Sequence, residues 1–223
     1  MTKPAAPGPL LLLMPQEFGD ELGGVARGLG FGPVACVNSR EALAQAVAAQ
    51  PPAVLLAFAT GVIVPPEVLA RPGLVAANVH GASPAYPGRD PHHFAAYEGA
   101  TCFGASLHYM VRAVDQGPLV RVSTEAVAAD ATPAELMAVG VRHGMALARW
   151  FLQACAATGA PAPDPDLRWS GPVRRRSDFL ALCRITPDLP RDEFERRLRA
   201  TSMPGYANLV LTLHGRTFRI APD

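Results

Sequence analysis

The feature that most constrains this chain is an alternation of short, wholly apolar runs with helix-patterned segments before residue 80. Leu10–Met14 is apolar throughout, the pattern of a parallel strand covered on both faces. Glu17–Leu29 has helical spacing and ends near Gly30. Val34–Val37 reads as a second strand. Ser39 is placed to cap the next helix, with Ala42 at its third position and Leu43, Ala46 and Val47 on one face. Ala53–Ala59 reads as a third strand and Leu74–Val79 as a fourth, closing on Asn78-Val79-His80. This βαβ order predicts an α/β fold with a parallel sheet and right-handed crossovers. Ligands on such sheets bind beyond the carboxyl ends of the strands. Gly28, Gly30 and Gly32 do not make a dinucleotide loop, because they follow a helix and lack the sixth-position glycine.

After residue 80 the pattern changes. Ser83–Pro91 holds Pro84, Pro87, Gly88 and Pro91, a rigid loop, and Pro91–Tyr97 can open a short helix. Gly104–Val111 and Leu119–Val127 read as strands joined by a turn at Asp115-Gln116-Gly117-Pro118. Thr132 caps a long helix with Pro133 at its first position and Glu135 in its first turn. Thr158–Asp166 is a Pro-rich linker. Beyond it come the segment Phe179–Ile185, a helix over Arg191–Ala200, and a hairpin of Leu209–Leu213 with Thr217–Ile220. The expected organisation is a catalytic domain over residues 1–160 and a linker with a small subdomain over 161–223.

Composition excludes several classes. A formal net charge of +1 gives no basic surface for a general nucleic-acid binder. Leu10–Pro15 is too short to span a bilayer, and it is bracketed by Pro9 and Pro15. Cys36, Cys102, Cys155 and Cys183 are scattered, so free thiols in a reducing cytoplasm are expected, with no disulfide frame. The histidines show no metal-ligand spacing, and the adjacent His92 and His93 would diverge on a helix, so no metal is expected.

The chemistry gathers between Asn78 and Pro118. Asn78 and His80 are two apart at a strand end and project from one side of it. Asp115 sits in a Gly-Pro turn after another strand, at a second position that can reach the sheet's carboxyl edge. An amide, an imidazole and a carboxylate converging there suit acyl transfer. The amide can donate to a developing oxyanion, and the other two can orient and move a proton.

Asn78-Val79-His80 with Pro84-Ala85-Tyr86-Pro87-Gly88 resembles the Asn-x-His … Pro-x-Tyr-x-Gly signature of the folate-dependent formyltransferases. Gly104-Ala105-Ser106-Leu107-His108 with Asp115-Gln116-Gly117-Pro118 resembles that family's second block, and Ala57–Pro65 with Glu67-Val68-Leu69 its folate-pocket stretch. The loop from His80 to Gly88 is one residue shorter than the commonest form, with Ser83-Pro84 replacing its Leu-Leu-Pro core. The resemblance covers about Leu10 to Phe151. It implies a Rossmann-like formyltransferase sheet with flanking helices and a small C-terminal α+β tail. It also implies 10-formyltetrahydrofolate as formyl donor and Asn78, His80 and Asp115 as the catalytic trio. The pterin is expected against Ile63, Val64, Pro65 and the Asp115 loop at Gly117. His108 is expected to support the site. Tyr86, Arg89 and Asp90 are candidate acceptor contacts.

The expected acceptor is a small-molecule amine, with a nucleotide-linked amino sugar favoured. The tail from Arg196 to Asn208 resembles a segment of the sugar-nucleotide and tRNA enzymes. An amino-acid-derived or hydroxylamine-type amine is the alternative, as is hydrolysis of the donor by water. Met14–Asp20 lacks the glycine nest of the glycinamide ribonucleotide enzymes. The stretch after Pro161 is where acceptor contacts or a homodimer contact are expected.

Overall fold

The computed structural model describes residues 7–220, so 1–6 and 221–223 of the two expected units lie outside it. A six-stranded sheet runs in the order Val34–Val37, Leu10–Leu13, Val54–Phe58, Val75–His80, Cys102–Tyr109, Leu119–Ala126. Its first four strands are β1 (Leu10–Leu13), β2 (Val34–Val37), β3 (Val54–Phe58) and β4 (Val75–His80), all parallel. Helices α1 (Gln16–Gly28), α2 (Arg40–Ala49) and the short α3 (Pro66–Leu69) connect them. Ser39 caps α2 by accepting the Ala42 N–H at 3.1 Å. Strand alternation sorts the core into two layers. Leu10, Leu12, Leu56, Phe58, Ala77 and Val79 face one side. Leu11, Leu13, Leu55, Ala57 and Ala76 face the other, against Leu43 and Val47 of α2 and Val68 of α3.

The parallel pattern stops at β4. Helix α4 (Pro91–Glu98) leads into β5 (Cys102–Tyr109), which runs antiparallel to β4, and β6 (Leu119–Ala126) runs antiparallel to β5. The reason is where α4 goes. It packs against the later helices α5 (Pro133–Thr158) and α7 (Arg191–Thr201) and does not cross the sheet, so the chain re-enters from the end at which it left. α5 begins with a capping box: Glu135 N–H donates to Thr132 Oγ1, and Thr132 N–H donates to Glu135 Oε2 at 2.8 Å. Its Leu147, Phe151 and Leu152 close the α1 side of the sheet.

After α5 the chain has no helix or strand until α6 (Arg176–Leu182), which leads into β7 (Arg184–Ile185) and α7. A two-strand pair, β8 (Ser202–Met203) and β9 (Tyr206–Ala207), precedes the hairpin β10 (Val210–Leu213) and β11 (Arg216–Arg219). His214 and Gly215, with φ of 47° and 74°, make its two-residue turn, as the twist of a tight hairpin requires. The Phe179–Ile185 segment resolves into α6 and β7, and β7 pairs with β10. The four cysteines are free.

Candidate active site

Asn78 and His80 share the face of β4 that carries Ala76, while Ala77 and Val79 enter the α1/α5 core. The same alternation places His108 beside them, because it is the cross-strand partner of Asn78. Asp115 arrives by a different route from the one its turn predicts. β5 leaves the sheet at Tyr109, opposite Ala77 and away from the carboxyl end of β4. The loop after it then doubles back: Met110 N–H donates to Ala76 O at 2.9 Å, and Tyr109 N–H to Pro118 O at 3.0 Å. Asp115 itself has a φ of 50°, a left-handed conformation that aspartate tolerates better than most residues.

The three titratable groups are buried and in contact. His80 Nδ1 lies 3.3 Å from Asp115 Oδ2, and His108 Nε2 lies 3.2 Å from Asp115 Oδ1. Gly88 N–H donates to Oδ2 at 3.0 Å, and the Asn78 amide donates to Oδ1 at 3.4 Å. Asn78 Nδ2 also lies 3.0 Å from His108 Nε2. The outer ring nitrogens meet carbonyls, which only accept. His80 Nε2 therefore carries a proton toward Tyr86 O at 2.7 Å, and His108 Nδ1 toward Tyr109 O at 3.0 Å. Each imidazole is left with one nitrogen facing an Asp115 oxygen, and a proton between the two makes that ring a second-nitrogen donor to the carboxylate. Burial pushes the Asp115 carboxyl up, but the His80 and His108 rings and the Gly88 N–H outweigh it and hold the group below the ordinary carboxylate value. A carboxylate bridged by two imidazoles can store a proton or pass one on.

A cleft of about 520 Å³ opens over this cluster. Ala57–Val64 and Leu69 line it, with Asn78–Gly81, Gly88–His92, Met110–Asp115, and Met137 and Val141 of α5. Ile63, Val111, Val114 and Met137 stand at its edge 42–60% exposed, an apolar rim open to a ligand. Of the residues expected from sequence, Ile63, Val64, Arg89 and Asp90 border the cleft. Pro65 does not; its carbonyl opens α3 by accepting from Val68 and Leu69. Gly117 does not; its carbonyl points to Trp169. The Tyr86 ring is turned away onto Phe103, because its carbonyl is the part that meets His80. Asp90 is paired with Arg176 at 3.4 Å, and Arg174 with Glu98 at 2.7 Å, so two of the three consecutive arginines hold local structure.

Sequence reasoning missed two residues. His92 lines the cleft, and burial, with His93 beside it, pushes its imidazole down to about 3. Trp169 lies edge-to-face against both His80 and His108. Its one signal was a lone aromatic in an otherwise polar, Pro-rich stretch.

The formyl transferase family model matches residues 33–147, a span that holds Asn78, His80, His108 and Asp115. The chain belongs to the formyl transferase family. The chain is 33% identical over 172 residues to a methionyl-tRNA formyltransferase of Myxococcus xanthus, covering 76% of the chain and 53% of that protein. It therefore spans about half the length of that relative. Two solved structures share its fold across nearly the whole of both chains. A 4-N formyltransferase from Francisella tularensis superposes with a TM-score of 0.76 at 15% identity, covering 98% of each chain. A sugar N-formyltransferase from Shewanella superposes with a TM-score of 0.75 at 17% identity, covering 97% of each chain.

Proposed function

We propose that this formyl transferase moves a formyl group from 10-formyltetrahydrofolate to the amine of a small molecule, a nucleotide-linked amino sugar being the favoured acceptor. The observation that carries the reading is the buried Asn78–His80–His108–Asp115 cluster at the base of the cleft. The cleft fits the donor: its volume lies in the range of cofactor sites, and its apolar rim suits a flat heterocycle with an aryl tail.

When bound, the donor supplies an electrophilic formyl carbon. Asn78 would offer an N–H to the formyl oxygen as charge grows there, giving up its long 3.4 Å contact with Asp115. Asp115, held ionised, draws the proton from the attacking amine directly or through a water. That proton would rest at His80 Nδ1, against Asp115 Oδ2, and pass to the donor's nitrogen as that nitrogen's bond to the formyl carbon breaks and tetrahydrofolate leaves. Protonated at Nδ1, His80 would carry a positive charge at the cleft wall, suited to a developing oxyanion, while its Nε2–H stays on Tyr86 O. Arg89 and His92 border the same cleft and are the proposed acceptor contacts, with His92 acting as a neutral imidazole.

Likeness in fold to the sugar N-formyltransferase over 97% of each chain supports the sugar acceptor. A second reading, transfer to methionyl-tRNA, is supported by the 33% identity to the Myxococcus enzyme. Purified protein with 10-formyltetrahydrofolate and a panel of nucleotide-linked amino sugars, amino acids, hydroxylamines and charged methionyl-tRNA tests both. Formylated product is read by mass spectrometry. Product on a sugar amine, lost in His80→Ala, is the expected result. Product on the tRNA alone replaces the acceptor, and tetrahydrofolate release without any amine replaces transfer by hydrolysis.

A further inference from the structure

The Pro-rich stretch between α5 and α6 is bonded along its length to the site's loops. Tyr109 O–H donates to Pro161 O, and Asp164 N–H donates to Leu119 O at 2.9 Å. Ser170 N–H donates to Pro84 O at 3.0 Å, Arg174 N–H to Pro87 O at 3.0 Å, and Arg89 N–H returns to Arg174 O at 2.9 Å. This strap therefore runs past the Asp115 loop and then along the loop that follows His80. Trp169 sits at the crossing. Its ring centroid is 5.2 Å from His108 at 77° and 5.9 Å from His80 at 70°. Its Nε1–H donates to Gly117 O at 2.9 Å, two residues beyond Asp115.

We infer that Trp169 is a positioning residue for the catalytic cluster, which makes the strap part of the machinery; the inference rests on the proposed formyl transfer. Each imidazole is anchored at one nitrogen by a carbonyl and can still pivot about that bond. The pivot decides whether the other nitrogen faces Asp115. An aromatic neighbour set edge-to-face blocks it. The indole N–H meanwhile fixes the loop that presents the carboxylate. A cavity of about 330 Å³, lined by Gln116–Leu119, Pro163–Pro165 and Leu167–Trp169, lies alongside, so little else is packed there to take over the indole's hold. Trp169 acts through His80, His108 and Asp115.

Two variants separate its contributions. Trp169→Phe keeps a ring and loses the N–H, so kcat is expected to fall about threefold, the size of one modest hydrogen bond. Trp169→Leu loses both, and kcat is expected to fall at least about tenfold, since small misplacements of reacting groups are costly. The KM for the donor stays within about twofold in both. A kcat unchanged in both variants, or a loss confined to the donor KM, overturns the inference; if the Leu variant does not fold, the Phe variant alone decides. Imidazole proton NMR decides it independently of any turnover, and so separates its failure from failure of the proposed transfer. The chain has six histidines. The His80 and His108 signals, assigned from Asn variants, are expected to move in the Trp169 variants while the other four stay. Signals that do not move overturn the inference even where the wild type is inactive.

Discussion

His92→Gln is expected to make this protein more resistant to acid. Burial, and then the charge of neighbouring His93, push the His92 imidazole down to about 3 in the folded chain. In the unfolded chain it returns to about 6.5. The folded value is the lower one, so the unfolded state takes up the proton first as pH falls. Stability owed to this group is whole above about pH 6.5 and drains away down to about pH 3. At pH 4 the drain is about 2.5 pH units at 1.36 kcal/mol each, or about 3 kcal/mol. That is a large share of a typical stability of about 5–15 kcal/mol. Glutamine is polar and does not titrate. Urea unfolding at pH 7.5 and pH 4, extrapolated to water, measures the difference. The variant should lie within about 1 kcal/mol of wild type at pH 7.5 and about 3 kcal/mol above it at pH 4, by the same linkage. An equal difference at both pH values would refute the reasoning, since other acid-sensitive groups cancel between the two proteins.

Asp115→Asn removes the group that bridges both imidazoles, so kcat should fall by about 10²–10⁴ while donor KM changes by less than about threefold; a matching loss of donor binding contradicts the proton-transfer role. Gly171→Ala would drive a Cβ into the Ala85 carbonyl oxygen, so thermal unfolding should show a loss of about 1–3 kcal/mol from forced backbone movement. Thr132→Ala removes the cap of α5 and should cost about 1 kcal/mol in the same assay, with kcat unchanged.

The parallel half of the sheet was legible because its information is local. Leu10–Leu13 alternates between two buried faces, and Ser39 and Thr132 stand at helix starts with their partners in place. Asn78 and His80 were legible for the same reason, since a two-residue spacing on a strand settles that they share a face. The direction of β5 was not, because nothing inside Cys102–Tyr109 records where α4 packs. His108 was placed on a strand, but its meeting with Asn78 depends on the antiparallel register. The strap carries no periodicity at all. Its order comes from backbone bonds to residues 45–87 positions away, such as Asp164 to Leu119 and Arg174 to Pro87, and backbone groups leave no mark on residue type.

The cluster also explains why distant segments must close together for the site to exist. A buried carboxylate is costly unless its oxygens are met by donors or positive charge. Asp115 finds its partners in β4, in β5 and at Gly88, and all but His108 are 27 or more residues away in sequence. The Gly88 contact depends on a loop that the strap fixes through Pro87 and Arg89. Releasing the strap therefore frees Gly88 from Asp115 and removes the indole from both imidazoles in the same event. The carboxyl then loses part of what holds it ionised, and its titration rises toward the ordinary value or beyond it, as burial alone would drive it. Holding Asp115 ionised is thus tied to the few backbone hydrogen bonds that fix the strap against the Gly88 loop.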